Sequence, residues 1–382
     1  MKKSALVMAI ATALASSAFA AEVTMYGKVD VGLAFTSVDN GAPNGDRVNT
    51  LKMASGQTAG SRWGIRGEED LGNGLKVGFK LESGFNTDDG TMAQGGRLFG
   101  RQASLFVEGQ AGNLKFGRMG ALASGFPDTG LFGGNMSPFA VGYGEVPGHR
   151  YIFAGNFAPL DNAITYTTPS FNGWKLMAQY SLDRDTKAVN LGGKHGVEGK
   201  SSADRHAALA AQFRNTTTEF NAVIDTTNYA SFNTATGMTV EQDDSLVFTA
   251  GIRHSFDWVT LYVNGQIFKD ARDFLQEANQ GLAFLKNGQG KDGWGASVGV
   301  DYPALGGILK AQVGYMDAEL SDDSSQSLKR TIASLGYWYD LSKRTALHAN
   351  VGYVYDKGEG TWLNGYDNAS CIASTVGIVH NF

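Results

Sequence analysis

The chain has 382 residues, a formal charge of −5 at pH 7, 51 glycines, 7 prolines and one cysteine. Its mild acidity excludes the basic footprint of a nucleic-acid binder, and one cysteine excludes an internal disulfide framework. No stretch after the first twenty residues is apolar for the ~18 residues that mark a membrane-spanning helix.

The chain opens with Lys2 and Lys3, a short apolar run over Ala5 to Phe19, and the small-x-small site Ala18-Phe19-Ala20. This is the pattern of a secretory signal peptide over 1–20, with a mature chain expected from Ala21. Without the leader lysines the charge is two units more negative.

From there a period of two recurs to the last residue. Leu75, Val77, Phe79 and Leu81 alternate with Lys76, Gly78, Lys80 and Glu82; Val376, Ile378 and Phe382 belong to a similar alternation. Successive strand side chains face opposite sides, so each segment has one apolar face and one polar or small face. Sixteen such segments are predicted, near 22–35, 58–67, 75–85, 97–109, 113–119, 161–168, 173–181, 204–213, 217–226, 245–255, 258–268, 293–302, 308–317, 328–340, 344–356 and 371–382. Short connections alternate with long ones at 36–57, 86–96, 120–160, 182–203, 227–244, 269–292, 318–327 and 357–370. With an export signal in front, this predicts an all-β fold over 21–382: one 16-stranded antiparallel transmembrane β-barrel, with the long loops outside the cell. Abundant glycine and 14 Tyr, 22 Phe and 6 Trp suit curved strands and interfacial aromatic girdles.

The longest connection, 120–160, carries Pro127, Pro138, Pro147 and Pro159 and is rich in Gly and Phe. A loop of that length is usually functional. It is expected to fold into the barrel and narrow it; packing over the rim or a neighbouring subunit is the alternative.

Strand parity selects lumen residues. Trp63 and Ile65 facing lipid turn Arg62 and Arg66 inward, and the Leu75–Leu81 pattern does the same for Lys76, Lys80 and Glu82. A midplane Arg or Lys on the lipid face costs roughly 2–4 kcal/mol, which supports the inward assignment. Arg101 points inward if Leu98, Ser104 and Phe106 face out. Arg118 shares parity with Leu114 and Phe116 and is assigned to a strand end. Acidic partners are expected from the interior loop, Asp128 first and Glu145 second. Fixed charges in a narrow pore bias which ions enter. The net charge favours cations and the arginine wall favours anions. The wall weighs more, since charges beyond about 8 Å are screened at physiological salt.

Several motifs carry a family resemblance. Ser61-Arg62-Trp63-Gly64-Ile65-Arg66-Gly67-Glu68-Glu69-Asp70-Leu71-Gly72-Asn73-Gly74-Leu75 is joined by Leu81-Glu82-Ser83-Gly84-Phe85, Leu98-Phe99-Gly100-Arg101-Gln102-Ala103, Gly117-Arg118 and Tyr166-Thr167-Thr168-Pro169-Ser170-Phe171. Leu341-Ser342-Lys343-Arg344-Thr345 and the terminal Gly377-Ile378-Val379-His380-Asn381-Phe382 follow in order. On these the chain resembles the general porins of β-proteobacteria and Neisseria; Val379 stands where those proteins commonly have arginine. The resemblance implies a homotrimer of 16-stranded barrels, with an inward third loop lining a constriction charged on opposite sides. It implies passive passage of ions and small hydrophilic solutes, and it adds Arg150 to the basic cluster. It makes the terminal aromatic Phe382 a signal for barrel-assembly machinery. Outward Gly27, Val29, Val31 and Val376 are candidates for the subunit contact. Outer-membrane lipid or lipopolysaccharide is an expected partner, with Asp322 and Asp323 as candidate carboxylates for cation bridges.

Two other classes stay open. A barrel enzyme such as a lipase would use the G-x-S-x-G pattern at Gly295-Ala296-Ser297-Val298-Gly299, but that motif needs a sharp strand-to-helix turn and here lies in an alternating segment. An adhesin or surface antigen is compatible with the long loops. The six histidines lack metal-ligand spacing, so neither metal nor cofactor is expected.

Overall fold

The alternating segments form strands that pair in sequence order and close on themselves. The structure is a computed structural model that describes residues 22–382 except 43, 44, 46, 127, 140–143, 156, 190–192, 234–237, 274–288 and 361–366. The predicted leader, 1–20, lies outside the described residues. β1 (Glu22–Asp39) runs along two segments, β2 (Val48–Ser55) and β3 (Arg62–Gly72), which form one interrupted stave: Val31 to Val38 pair with β2, and Glu22 to Lys28 with β3. Then come β4 (Leu75–Gly84), β5 (Gln102–Gly109), β6 (Gly112–Gly120), β7 (Pro159–Thr167), β8 (Trp174–Ser181), β9 (Arg205–Arg214) and β10 (Thr218–Asn228). β11 (Phe232–Asn233) and β12 (Thr239–Val240) make a separate small hairpin. β13 (Ser245–Ser255), β14 (Thr260–Ala271), β15 (Lys291–Ala304), β16 (Gly307–Leu320), β17 (Asp323–Asp340), β18 (Thr345–Glu359) and β19 (Asn368–Asn381) complete the wall. β19 pairs antiparallel with β1 from Asn381↔Lys28 to Ser370↔Asp39, so sixteen staves close without a free edge.

The short connections are tight turns. Asn73-Gly74, Asn172-Gly173 and Leu305-Gly306 each place two consecutive residues at positive φ, the geometry whose twist matches a two-residue hairpin. The seam is closed at the chain end, where Gly27 and Phe382 exchange both backbone hydrogen bonds, 3.0 and 3.1 Å. The Phe382 ring covers Gly27, and a Cβ there would collide with it.

The outer face carries an apolar band. Leu105, Leu209, Ile267, Val313, Leu335 and Val376 are all exposed on the isolated chain. Near the short turns, Trp174 meets Phe213 at 5.2 Å and Trp258 meets Tyr302 at 6.4 Å; nearer the long loops, Trp294 meets Tyr315 at 5.5 Å. These are girdle positions, where an amphipathic ring bridges hydrocarbon and water.

Several boundaries differ from the sequence reading. Residues 48–55, expected in a loop, form β2. Residues 97–101, expected in a strand, precede β5. The expected long connection 318–327 is a tight hairpin, with β16 ending at Leu320 and β17 beginning at Asp323. Strand ends beyond the hydrocarbon need no apolar face, so the period of two is silent there.

The break between β2 and β3 turns onto Asp30, a fully buried residue of β1. Its carboxylate accepts the N–H groups of Gln57, Thr58 and Ala59 at 3.1, 2.8 and 2.9 Å, and the Thr58 hydroxyl at 2.6 Å. The connection 121–158 touches inward-facing residues of many staves. Asn221 of β10 donates to the Leu131 carbonyl at 2.7 Å, Asn264 of β14 to Met136 at 2.8 Å, and Ser334 of β17 to Pro147 at 2.7 Å. Gln266 of β14 both donates to and accepts from Ala154. Arg330 of β17 donates to the Tyr151 carbonyl at 3.1 Å while forming a fully buried two-point pair with Asp356 of β18, both bonds 2.7 Å. Much of the apolar core lies between this connection and the wall, with Tyr151, Ile152 and Phe153 against Phe268, Met316 and Ile332. Gly295 and Gly352 admit it: a Cβ would strike the Ile152 carbonyl at one and Pro147 at the other. The small residues around Ser297 are thus explained by packing.

Candidate functional site

Five neighbouring staves build a basic wall. β1 contributes Lys28, β3 Arg62 and Arg66, β4 Lys80 with Glu82, and β6 Lys115; Arg101 precedes β5 by one residue. Each wall strand sets its charges by alternation with residues that face lipid.

Glu82 is the hub. It accepts Arg101 Nε at 2.7 Å and the Tyr26 hydroxyl at 2.9 Å, with Arg62 Nε at 3.9 Å and Lys80 Nζ at 3.8 Å. Asp128 docks the connection onto the same wall: its carboxylate takes Lys80 Nζ at 2.9 Å, Gln102 Nε2 at 2.7 Å and Lys115 Nζ at 3.3 Å. Burial pushes the Asp128 carboxyl up, but Lys115 and Lys80 beside it win and hold it at about 2. Four cations, Arg62, Lys80, Arg101 and Lys115, therefore share two carboxylates. Arg101 is further fixed by its guanidinium lying 4.8 Å from the Phe126 ring centre.

Of the residues selected from the sequence, the fold gathers Arg62, Lys80, Glu82, Arg101 and Asp128. Arg66 stands one register step away, opposite Lys80, with its guanidinium 5.6 Å from the Tyr26 ring. Arg150 lies elsewhere, in the 3-10 turn His149–Tyr151, whose last carbonyl is bound by Arg330 of β17. Glu145 pairs with Lys52 of β2 at 2.6 Å. Arg118 pairs with Asp161 in a second group that includes Arg97 and Asp185; a bulge after Gly117 breaks its parity. Phe382 lies on the outer face at the seam, apart from this cluster.

Sequence reading passed over Lys28, Lys115, Lys310, Tyr26 and Gln102. The first two were available by parity, from Val29 and Phe116 beside them. Lys310 of β16 reaches the Pro138 carbonyl at 3.1 Å and Asp301 at 3.3 Å, contacts that no local pattern reveals.

Wall and connection enclose a cavity of about 280 Å³. Lys28, Arg62, Arg101 and Lys310 line it, together with Pro138, Phe139 and Val146 of the connection, and among the described residues no carboxylate does. A second cavity of about 430 Å³ lies along Lys115, Asp128, Lys175 and Arg214.

A charged cluster on the water side of a closed barrel is the arrangement of a channel wall, and comparison with known proteins agrees. The profile of the Gram-negative porin family matches residues 5–359. An outer membrane porin of Bordetella pertussis is 31% identical over 410 residues, spanning all of both chains. The chain belongs to the Gram-negative porin family. This porin is also 28% identical to outer membrane porin protein 32 of Delftia acidovorans, over 94% of its own length and 92% of the relative's. Its fold matches that of an anion-selective porin from Comamonas acidovorans with a TM-score of 0.64, at 23% identity, covering 95% of this chain and 100% of the other. It is an outer-membrane diffusion channel of the water-filled barrel type.

Proposed function

We propose that this porin passes ions and small hydrophilic solutes passively and favours anions, with selectivity set where the 121–158 connection narrows the lumen against the basic wall. The carrying observation is the cavity lining: among the described residues, four cationic side chains and no carboxylate. Asp128 and Glu145 do not oppose the wall; each is joined directly to lysines. Arg62, Arg66, Lys80, Arg101, Glu82 and Asp128 are the assigned lumen charges, with Arg150 in a separate turn. The Comamonas porin of similar fold is an anion-selective one, which points the same way.

No catalytic step is assigned. Ser297 lies within extended β15, not on the sharp turn that a nucleophile elbow requires. The assembly is read as a homotrimer. Leu33, Phe35, Leu51, Leu335, Val351 and Val376 form an apolar outer groove across β1, β2 and β17–β19, which suits a subunit contact at the seam. Phe382 is assigned as the signal read by the barrel-assembly machinery, and the long loops as the face toward lipopolysaccharide. Ion selectivity of the reconstituted channel tests the reading: chloride is expected to permeate faster than potassium, and a potassium-favouring channel would sink it.

A further inference from the structure

The cavity beside the basic wall joins charge to aromatic rings. Lys28, Arg62 and Arg101 line it from the wall, and Lys310 of β16 stands beside Trp338 of β17 and Phe139 of the connection. Bare anion conduction calls for the charges alone. A lining that joins cations to aromatic rings has the chemistry of a site for an amphipathic anion, with a few placed polar groups orienting a ligand against apolar walls.

Lys28 strengthens the case. Arg101 is paired to Glu82, and Lys310 to Asp301. Lys28 makes no ion pair or hydrogen bond among the described residues, and its nearest charges include two arginines, Arg62 and Arg101. Asp30, the acid near it, is occupied by the Gln57, Thr58 and Ala59 amides. An ammonium crowded by like charges and left without a partner favours an incoming anion. The volume, about 280 Å³, is close to the roughly 300 Å³ lower bound of small-molecule pockets, so the guest is small.

We propose that this cavity is a weak binding subsite for small organic anions that carry an aromatic or compact apolar group. The carboxylate meets Lys28 and Arg62, and the ring lies against Phe139 and Trp338. This rests on the anion-favouring reading of the channel. The subsite would make the porin discriminate between anions of similar charge and mobility, passing the amphipathic ones by a saturable route.

The test is the chloride current of single reconstituted channels as sodium benzoate or sodium acetate is added at equal concentrations. Benzoate is expected to reduce the current saturably, with half effect at a concentration about tenfold lower than acetate, as ring burial adds to the shared carboxylate contact. Phe139→Ala is expected to erase most of that difference, and Lys28→Gln to weaken the effect of both anions. An anion-selective wild-type channel that responds equally to benzoate and acetate overturns the subsite while leaving the anion reading intact. A cation-selective wild-type channel overturns the anion reading itself. The wild-type comparison decides the matter even if a variant fails to fold.

Discussion

Asp128 shows how one side chain both docks the long connection and trims the charge of the wall. Its carboxyl is held at about 2, below the usual carboxylate value of about 3.9. A depressed folded-state pKa favours docking; that contribution is full above the ordinary value and is lost progressively as pH falls from there through about 2. The charge at this point is therefore constant across the neutral and mildly acidic range. Asp128→Asn would release Lys80 and Lys115 and raise the chloride-to-potassium permeability ratio by about twofold, since one unit charge near the path is worth at most ~1 kcal/mol in water-like surroundings and salt screens it further. Zero-current potentials of the two channels should differ by the same amount at pH 7 and pH 4; a difference that vanishes by pH 4 would mean that Asp128 is already protonated there. At this scale parity made Arg62, Lys80 and Glu82 legible, and it would have made Lys28 and Lys115 legible too. It could not show that Asp128 bonds directly to Lys80, because that contact joins residues 48 positions apart. Nor could it follow Arg118 past the bulge after Gly117.

The strands were readable because lipid and water impose opposite chemistry on alternate residues, and they blurred where that contrast ends. The β2 segment, residues 97–101 and the 318–327 hairpin all lie at strand ends or rims. The 121–158 connection is the reverse case: its path is written in the wall residues that receive it, such as Asn264, Gln266 and Ser334, and not in its own sequence. One anchor is Arg330, whose guanidinium holds the Tyr151 carbonyl while pairing with Asp356 of the wall. Arg330→Ala would leave Asp356 buried and unpaired, at a cost of roughly 3–5 kcal/mol, whereas replacing both partners by apolar residues of similar volume would be near neutral. Urea unfolding of the detergent-solubilised barrel measures this. A single variant as stable as wild type would show that the anchor does not hold the connection.

Across the whole molecule, closure depends on the first and last staves meeting in one register. Phe382 supplies two backbone hydrogen bonds and a ring that covers Gly27 at that seam. Deleting it is expected to lower the amount of folded barrel in the outer membrane several-fold, while each channel that does assemble conducts as before. Heat-modifiable mobility and single-channel conductance separate those two effects, and undiminished assembly would remove Phe382 from any closing or signalling role. Cations line the cavity beside the wall although the chain as a whole carries −5. On the proposed reading, ion choice belongs to the enclosed wall and not to the net charge. The direct measurement is the zero-current potential of the reconstituted wild-type channel across a KCl gradient at neutral pH, repeated with Lys28→Gln and Lys310→Gln. A chloride-favouring potential that shrinks in both variants is expected. A potassium-favouring wild type, or a potential that neither substitution moves, would contradict control by the basic wall.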